Sequence, residues 1–309
     1  MPLVRDALVR WEALARDTGR SLFQRVGGLS IGPHHGALLS GVLASARAHD
    51  LRHEVLSARE VRARFPSLHP PEDAIGLLEP DAGVLATEAC VEALLEDAVA
   101  AGATLRTPEA VTGWSAHSGG VVVENPGGVV EADALILAVG PWLAETAAGR
   151  RMGLLVERQV VFWYEMSATV AGLPVILWEH PNGSVFYAIP GPGTRIKAAL
   201  HHEGAIVQPD SVDRVASPQD DARVRPLLEQ LLPGAAVPPV GGSVCLYTNT
   251  ADGHFVVDSL PGQERVFVMS ACSGHGFKFA PAIAELMADL VLGERPSFDP
   301  VPFRATRFG

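Results

Sequence analysis

Ala134-Leu135-Ile136-Leu137-Ala138-Val139 is apolar at every position and runs straight into Gly140-Pro141. A strand with one wet face alternates apolar and polar side chains. Six apolar residues in a row instead call for cover on both faces, the condition at the centre of a parallel sheet sandwiched between helices. A helix is available upstream, where Cys90, Val91, Leu94, Leu95, Ala98 and Val99 form the apolar set of a segment that Thr87 can cap and Gly102 ends. Ile75–Glu79 before it reads as a short strand, followed by a turn at Pro80-Asp81-Ala82-Gly83. After it, strand signals stand at Ala103–Leu105 and Val111–Trp114, and Asn125-Pro126-Gly127-Gly128 closes a hairpin between Val121–Glu124 and Val129–Glu131.

The chain ends on the same theme. Arg265–Ser270 is a strand, Ala271-Cys272-Ser273-Gly274-His275-Gly276-Phe277-Lys278 a small-residue loop, and about Phe279 to Leu292 a helix with Ile283, Leu286, Met287, Leu290 and Val291 on one side. Pro281 sits in its first turn and Gly293 at its end. Glycines ahead of a helix N-terminus let a ligand approach unpaired N–H groups at the positive end of the helix dipole.

Elsewhere, helices are expected over 7–17, Gly36–His49, Ala58–Phe65 and near Val224–Leu232, and a strand pair or one bent strand, interrupted by Gly27-Gly28, over Phe23–Ile31. Short β-rich runs at Val160–Glu165, Val175–Glu179, Val185–Ile189 and Arg195–Leu200 predict a mixed or antiparallel sheet, with further strands at Gly242–Tyr247 and His254–Asp258. The fold class is α/β with α+β elements.

Composition narrows the function. The 309 residues are 48% apolar and carry a formal charge of −11, which gives no field to draw the chain onto nucleic acid or an anionic membrane. No apolar run has the length of a membrane span, so a cytoplasmic location is expected. Cys90, Cys245 and Cys272 are too scattered for a disulfide framework, and the adjacent pairs His34-His35 and His201-His202 do not have metal-ligand spacing, so no metal is expected. Against the arginines stand only two lysines, Lys197 and Lys278, marking places where a compact point charge is wanted. Gly28-Leu29-Ser30-Ile31-Gly32 satisfies the G-x-S-x-G pattern of serine hydrolases, but Pro33 and a further glycine stand where the helix must begin at the serine.

Three stretches together carry a more specific signal: Ser273-Gly274-His275-Gly276-Phe277-Lys278-Phe279, Cys245-Leu246-Tyr247-Thr248-Asn249-Thr250 with His254-Phe255, and Glu79-Pro80-Asp81-Ala82-Gly83-Val84-Leu85. They resemble the monomeric sarcosine oxidase and N-methyltryptophan oxidase family of FAD-dependent amine oxidases. The likeness keeps its order from Met1 through Arg158-Gln159-Val160-Val161, Pro181-Asn182-Gly183, Lys197 and His201 to the C-terminus. It implies FAD bound covalently through Cys245, and Lys197 as the lysine that promotes reaction with oxygen. It implies His201 and His275 beside substrate and flavin, Lys278 at the substrate carboxylate and Tyr187 in the pocket wall. Gly140, Gly274, Gly276, Phe277 and Lys278 are then expected to contact the cofactor.

The implied reaction oxidises the C–N bond of a secondary amino acid, with molecular oxygen as acceptor, giving an imine and hydrogen peroxide in a monomeric enzyme. The implied architecture is a split FAD-binding domain with a parallel sheet, in about 75–150 and 259–309, and a substrate domain with a mixed sheet, together with connecting helices, in about 1–74 and 151–258. The family begins with a strand, a G-x-G-x-x-G turn and a helix, and Met1-Pro2-Leu3 matches a point beyond them, so the first βαβ unit is expected to be missing. On that expectation the 309-residue polypeptide, as isolated, is colourless, poorly soluble and inactive toward sarcosine. The alternative is a truncated, FAD-free relative acting at most as a binding module.

Overall fold

The computed structural model describes residues 2–234 and 238–308; the outermost residues of the expected spans 1–74 and 259–309, and 235–237 within 151–258, lie outside the described residues. The chain divides into two compact units. One is formed by Phe23–Leu85 and Glu157–Leu246, the other by Pro2–Leu22, Ala86–Val156 and the stretch from Tyr247 onward. The Pro2–Thr18 helix packs in the second unit, and 75–85 belongs to the first.

The first unit is built on an eight-stranded mixed sheet. In spatial order its strands are Gly241–Asn249, Leu155–Glu165, Arg195–His201, Val185–Pro190, Val175–Glu179, Gly28–Pro33, Ala74–Glu79 and Glu54–Ser57. From Leu155–Glu165 across to Glu54–Ser57 the pairings are antiparallel except Val175–Glu179 on Gly28–Pro33, where Ile176 stands opposite Leu29. Period-2 alternation sends one set of side chains into the core: Phe162, Tyr164, Ile176, Trp178, Phe186, Ile196, Ala198, Leu29 and Ile31. The Pro218–Leu231 helix covers that face with Val224, Leu228 and Leu231. It starts earlier than the expected Val224, because Ser217 and Asp220 close a reciprocal capping box. Ser30 is a buried mid-strand residue, not the apex of an elbow.

The second unit carries a three-stranded sheet in the order Val256–Leu260, Gln263–Ser270, Leu135–Leu137, and a separate antiparallel meander of Gly113–His117, Gly120–Asn125 and Gly128–Ala132. Leu135–Leu137 runs parallel to Gln263–Ser270, with Leu137 opposite Val268. The closing helix, Ala280–Leu292, buries Ile283, Leu286 and Met287 and ends at Gly293, whose φ of +69° is left-handed.

Four expectations are corrected. The Ala134–Val139 strand spans only Leu135–Leu137 and lies at the edge of its sheet beside Gln263–Ser270, so Ile136 and Val139 remain exposed and not doubly covered. Thr87 is the first helical residue and not the cap; Ala86 takes the cap position without a side-chain bond, and the Thr87 hydroxyl donates to Glu88 instead. That helix buries Cys90 and Ala93, leaving Val91, Leu95 and Val99 as an exposed stripe at i, i+4 and i+8. Ala103–Leu105 forms no strand, and the strand after it is Gly113–His117, beginning two residues later than the expected Val111. Among the described residues no helix is long and apolar enough to cross a membrane.

Candidate active site

The side of the eight-stranded sheet away from its core gathers four of the ten residues read from the sequence as site residues: Lys197, His201, Tyr187 and Cys245. Lys197 and His201 lie four residues apart on one strand and therefore share a face. Tyr187 is opposite Ala199, and Trp163 opposite Lys197, so both join them. Lys197, His201, Tyr187 and Trp163 are all half-buried. On the next strand a side chain at Gly242 would press on Phe162, which is on the core face, and Val244 is buried. Alternation then turns Cys245 to the opposite face, where it is exposed.

The three cysteines are not equivalent. Cys90 is buried and donates to the Leu22 carbonyl, and burial pushes its thiol pKa above the usual range. Burial also pushes the Cys272 thiol up, against smaller opposing hydrogen bonds with Ala271 and Ser270. Cys245 is the exposed thiol of the three.

The remaining predicted residues sit in the second unit. Ala271–Lys278 leaves the Gln263–Ser270 strand as a tight loop: a Cβ at Gly276 would overlap the Ala271 carbonyl, and one at Gly274, where φ is +78°, would fall inside the Tyr247 ring. Both positions therefore require glycine on packing alone. Thr248 N–H donates to the Cys272 carbonyl, and Ser273 Oγ to that of Thr248. The His275 ring lies 4.9 Å from that of Phe255, and its Nε2 is 3.2 Å from the Gly253 carbonyl oxygen. Lys278 Nζ donates to the His275 carbonyl at 2.8 Å and lies 4.8 Å from the Phe279 ring. Desolvation there lowers its pKa from the ordinary lysine value, although the residue as a whole is exposed. Phe277 stacks on Trp11, whose indole N–H donates to the Lys278 carbonyl, so the buried indole pins this turn.

Gly140, with φ of +55°, follows Leu135–Leu137 and has open space where a Cβ would project. Because that strand is parallel to Gln263–Ser270, the Gly140 turn and the Gly274–Gly276 loop leave the same carboxyl edge of the pair, the edge where open α/β sheets bind ligands.

These features can be set beside known proteins. A family model described as FAD dependent oxidoreductase matches residues 1–290. The chain belongs to the FAD-dependent oxidoreductase family. An N-methyl-L-tryptophan oxidase from Salmonella newport (strain SL254) is 33% identical over 313 residues, covering 100% of this chain and 83% of the relative. Among solved structures, the open form of NikD, an unusual amino acid oxidase essential for nikkomycin biosynthesis, is similar at a TM-score of 0.86 and 25% identity over 98% of this chain and 82% of that one. The glycine oxidase of Geobacillus kaustophilus shares the fold at a TM-score of 0.81 and 23% identity, over 99% of this chain and 82% of its own.

Residues of this oxidoreductase fit the cofactor its family is named for. The Gly140 turn is open at the carboxyl end of a parallel strand, and the buried Thr248 Oγ1 has no hydrogen-bond partner among the described residues. Among those residues no group of three or more His, Cys, Asp and Glu could hold a metal ion. Sequence reasoning missed Trp163, Glu157 and Gln159, which alternation puts on the same sheet face as Lys197, Glu157 and Gln159 being buried. The one local signal for the last two was a polar pair inside an apolar strand.

Proposed function

We propose that this chain oxidises the C–N bond of a secondary, N-methyl amino acid and passes the electrons to molecular oxygen, releasing an imine and hydrogen peroxide. The observation that carries the reading is the single sheet face shared by Cys245, Lys197, His201 and Tyr187, half-buried or exposed and turned away from the core. The similarity to an N-methyl-L-tryptophan oxidase supports the substrate class.

FAD, when bound, supplies the acceptor for the hydride equivalent. Cys245 is assigned as its covalent tether, because its thiol is exposed while burial raises the pKa of the other two. Gly140, Gly274, Gly276 and Phe277 shape the cofactor-facing turns, so the unit that carries them is assigned as the FAD-binding part and the eight-stranded sheet as the substrate part. Lys197 places a compact positive charge beside the site where oxygen becomes an anion, a role a bulkier guanidinium fills less well. His201 orients the substrate amine, Tyr187 forms a wall of the pocket, His275 borders substrate and cofactor, and the Lys278 ammonium pairs with the substrate carboxylate.

The test is product analysis with FAD-supplemented protein. Sarcosine and N-methyltryptophan should yield peroxide and formaldehyde in equal amounts, with glycine and tryptophan as the corresponding primary amines. Absence of peroxide from every N-methyl substrate would remove the reading.

A further inference from the structure

At the buried end of the same sheet face stands a carboxylate that none of these assignments uses. Glu157 is 5% exposed at the start of the Leu155–Glu165 strand. Its Oε1 accepts from Gln159 Nε2 at 2.6 Å and from the Gly204 N–H at 2.7 Å. Its Oε2 is 3.5 Å from His202 Nδ1. The His202 ring in turn lies against the His201 ring, with centroids 4.0 Å apart. A buried carboxylate is costly unless its oxygens are occupied. Here one oxygen holds the return of the chain, and the other faces an imidazole.

The backbone of His202 makes a purely structural account incomplete. Its φ is +58°, a left-handed conformation that costs a non-glycine residue on the order of 1 kcal/mol or more. It is imposed because Arg158 N–H bonds Ala205, Glu157 bridges Ile206, and the chain passes so close at Gly204 that a Cβ there would overlap the Arg158 carbonyl. A glycine or asparagine at 202 would turn the chain with less strain. A histidine there instead puts a ring between the buried carboxylate and the ring of the site histidine.

We propose that Glu157 is a positioning residue that acts through His202 to hold the His201 ring on the site face of the sheet. The inference rests on the assignment of His201 to the substrate site, but the coupling itself does not require flavin. The first measurement is therefore made on the chain without it, following histidine ring resonances by NMR. Glu157→Gln keeps the shape and the Gly204 bond, and should move the ring signals of both His202 and His201. Glu203→Gln, which alters the half-buried partner of Arg223 on the same return, should move neither. His202→Asn accepts the left-handed backbone and removes the ring, and should shift His201 in the same sense.

In FAD-supplemented protein, Glu157→Gln and His202→Asn should each lower kcat with N-methyl substrates by about tenfold at little change in KM, and the double variant should be no worse than either alone. A Glu157→Gln spectrum in which only His202 moves overturns the proposal. So does a double variant whose losses multiply. Unchanged ring coupling with no activity in any variant, wild type included, counts against the oxidase reading and leaves the positioning intact.

Discussion

Leu137 stands opposite Val268 across a parallel strand pair, so the turn at Gly140 and the loop at Gly274–Gly276 emerge together at one carboxyl edge. The two turns need glycine for different reasons. At Gly274 the Tyr247 ring fills the space of a side chain, whereas at Gly140 that space is open. Gly274→Ala should lower the unfolding free energy by about 1–3 kcal/mol through combined backbone strain and overpacking. Gly140→Ala should cost about 1 kcal/mol from backbone strain alone, and act mainly on FAD affinity. Urea denaturation of both variants, with a flavin titration of the second, checks the contrast.

Acid should weaken the clamp between Arg158 and Asp220. The two Arg158 bonds, at 2.8 and 3.0 Å, lead the causes that hold the Asp220 carboxyl down at about 2, from an ordinary value of 3.8. A carboxylate depressed in the folded state contributes stability that is fully present above its unfolded value and is lost as pH falls through its folded value. The loss should therefore run from about pH 4 down to about pH 2, and Asp220→Asn should flatten the stability curve in that window. An equal slope in the variant would assign the acid sensitivity to other carboxylates.

Lys197→Met should leave anaerobic flavin reduction by substrate near normal and slow reoxidation by oxygen at least about a hundredfold, the scale of losing one preorganised partner of a developing anion. Stopped-flow spectroscopy separates the two half-reactions. Unchanged reoxidation takes Lys197 out of the oxygen step.

Cys245→Ala should release FAD on acid precipitation, while wild type keeps it with the polypeptide. Cys272→Ala should behave like wild type, because that thiol's pKa is raised by burial. Flavin extractable from the wild type would remove the covalent link and leave the oxidase chemistry standing.

The parts of the molecule that were legible in the sequence are those fixed by local rules. The closing helix follows from Pro281, the spacing of Ile283, Leu286 and Met287, and Gly293, and each of these is where the pattern puts it. The mixed sheet follows from short β-rich runs broken by Pro181-Asn182-Gly183 and Gly191-Pro192-Gly193. Lys197 and His201 share a face because a strand repeats every two residues. Burial was read less well where it depends on neighbours distant in sequence. Ile136 and Val91 are as apolar as any core residue, yet both are exposed, since apolar character states a demand for cover and not its supply. The Glu157–His202 contact joins residues 45 positions apart through a left-handed backbone, which no periodicity encodes.

The measurement closest to the central claim is an anaerobic titration of FAD-supplemented protein with sarcosine and N-methyltryptophan, read by flavin absorbance and followed by admission of air. The account predicts bleaching by at least one N-methyl amino acid, weaker response to the matching primary amino acid, and recovery of colour with peroxide formed in equal amount to the flavin. Flavin that stays oxidised with every N-methyl substrate, or that is bleached equally by the primary amines, would contradict it.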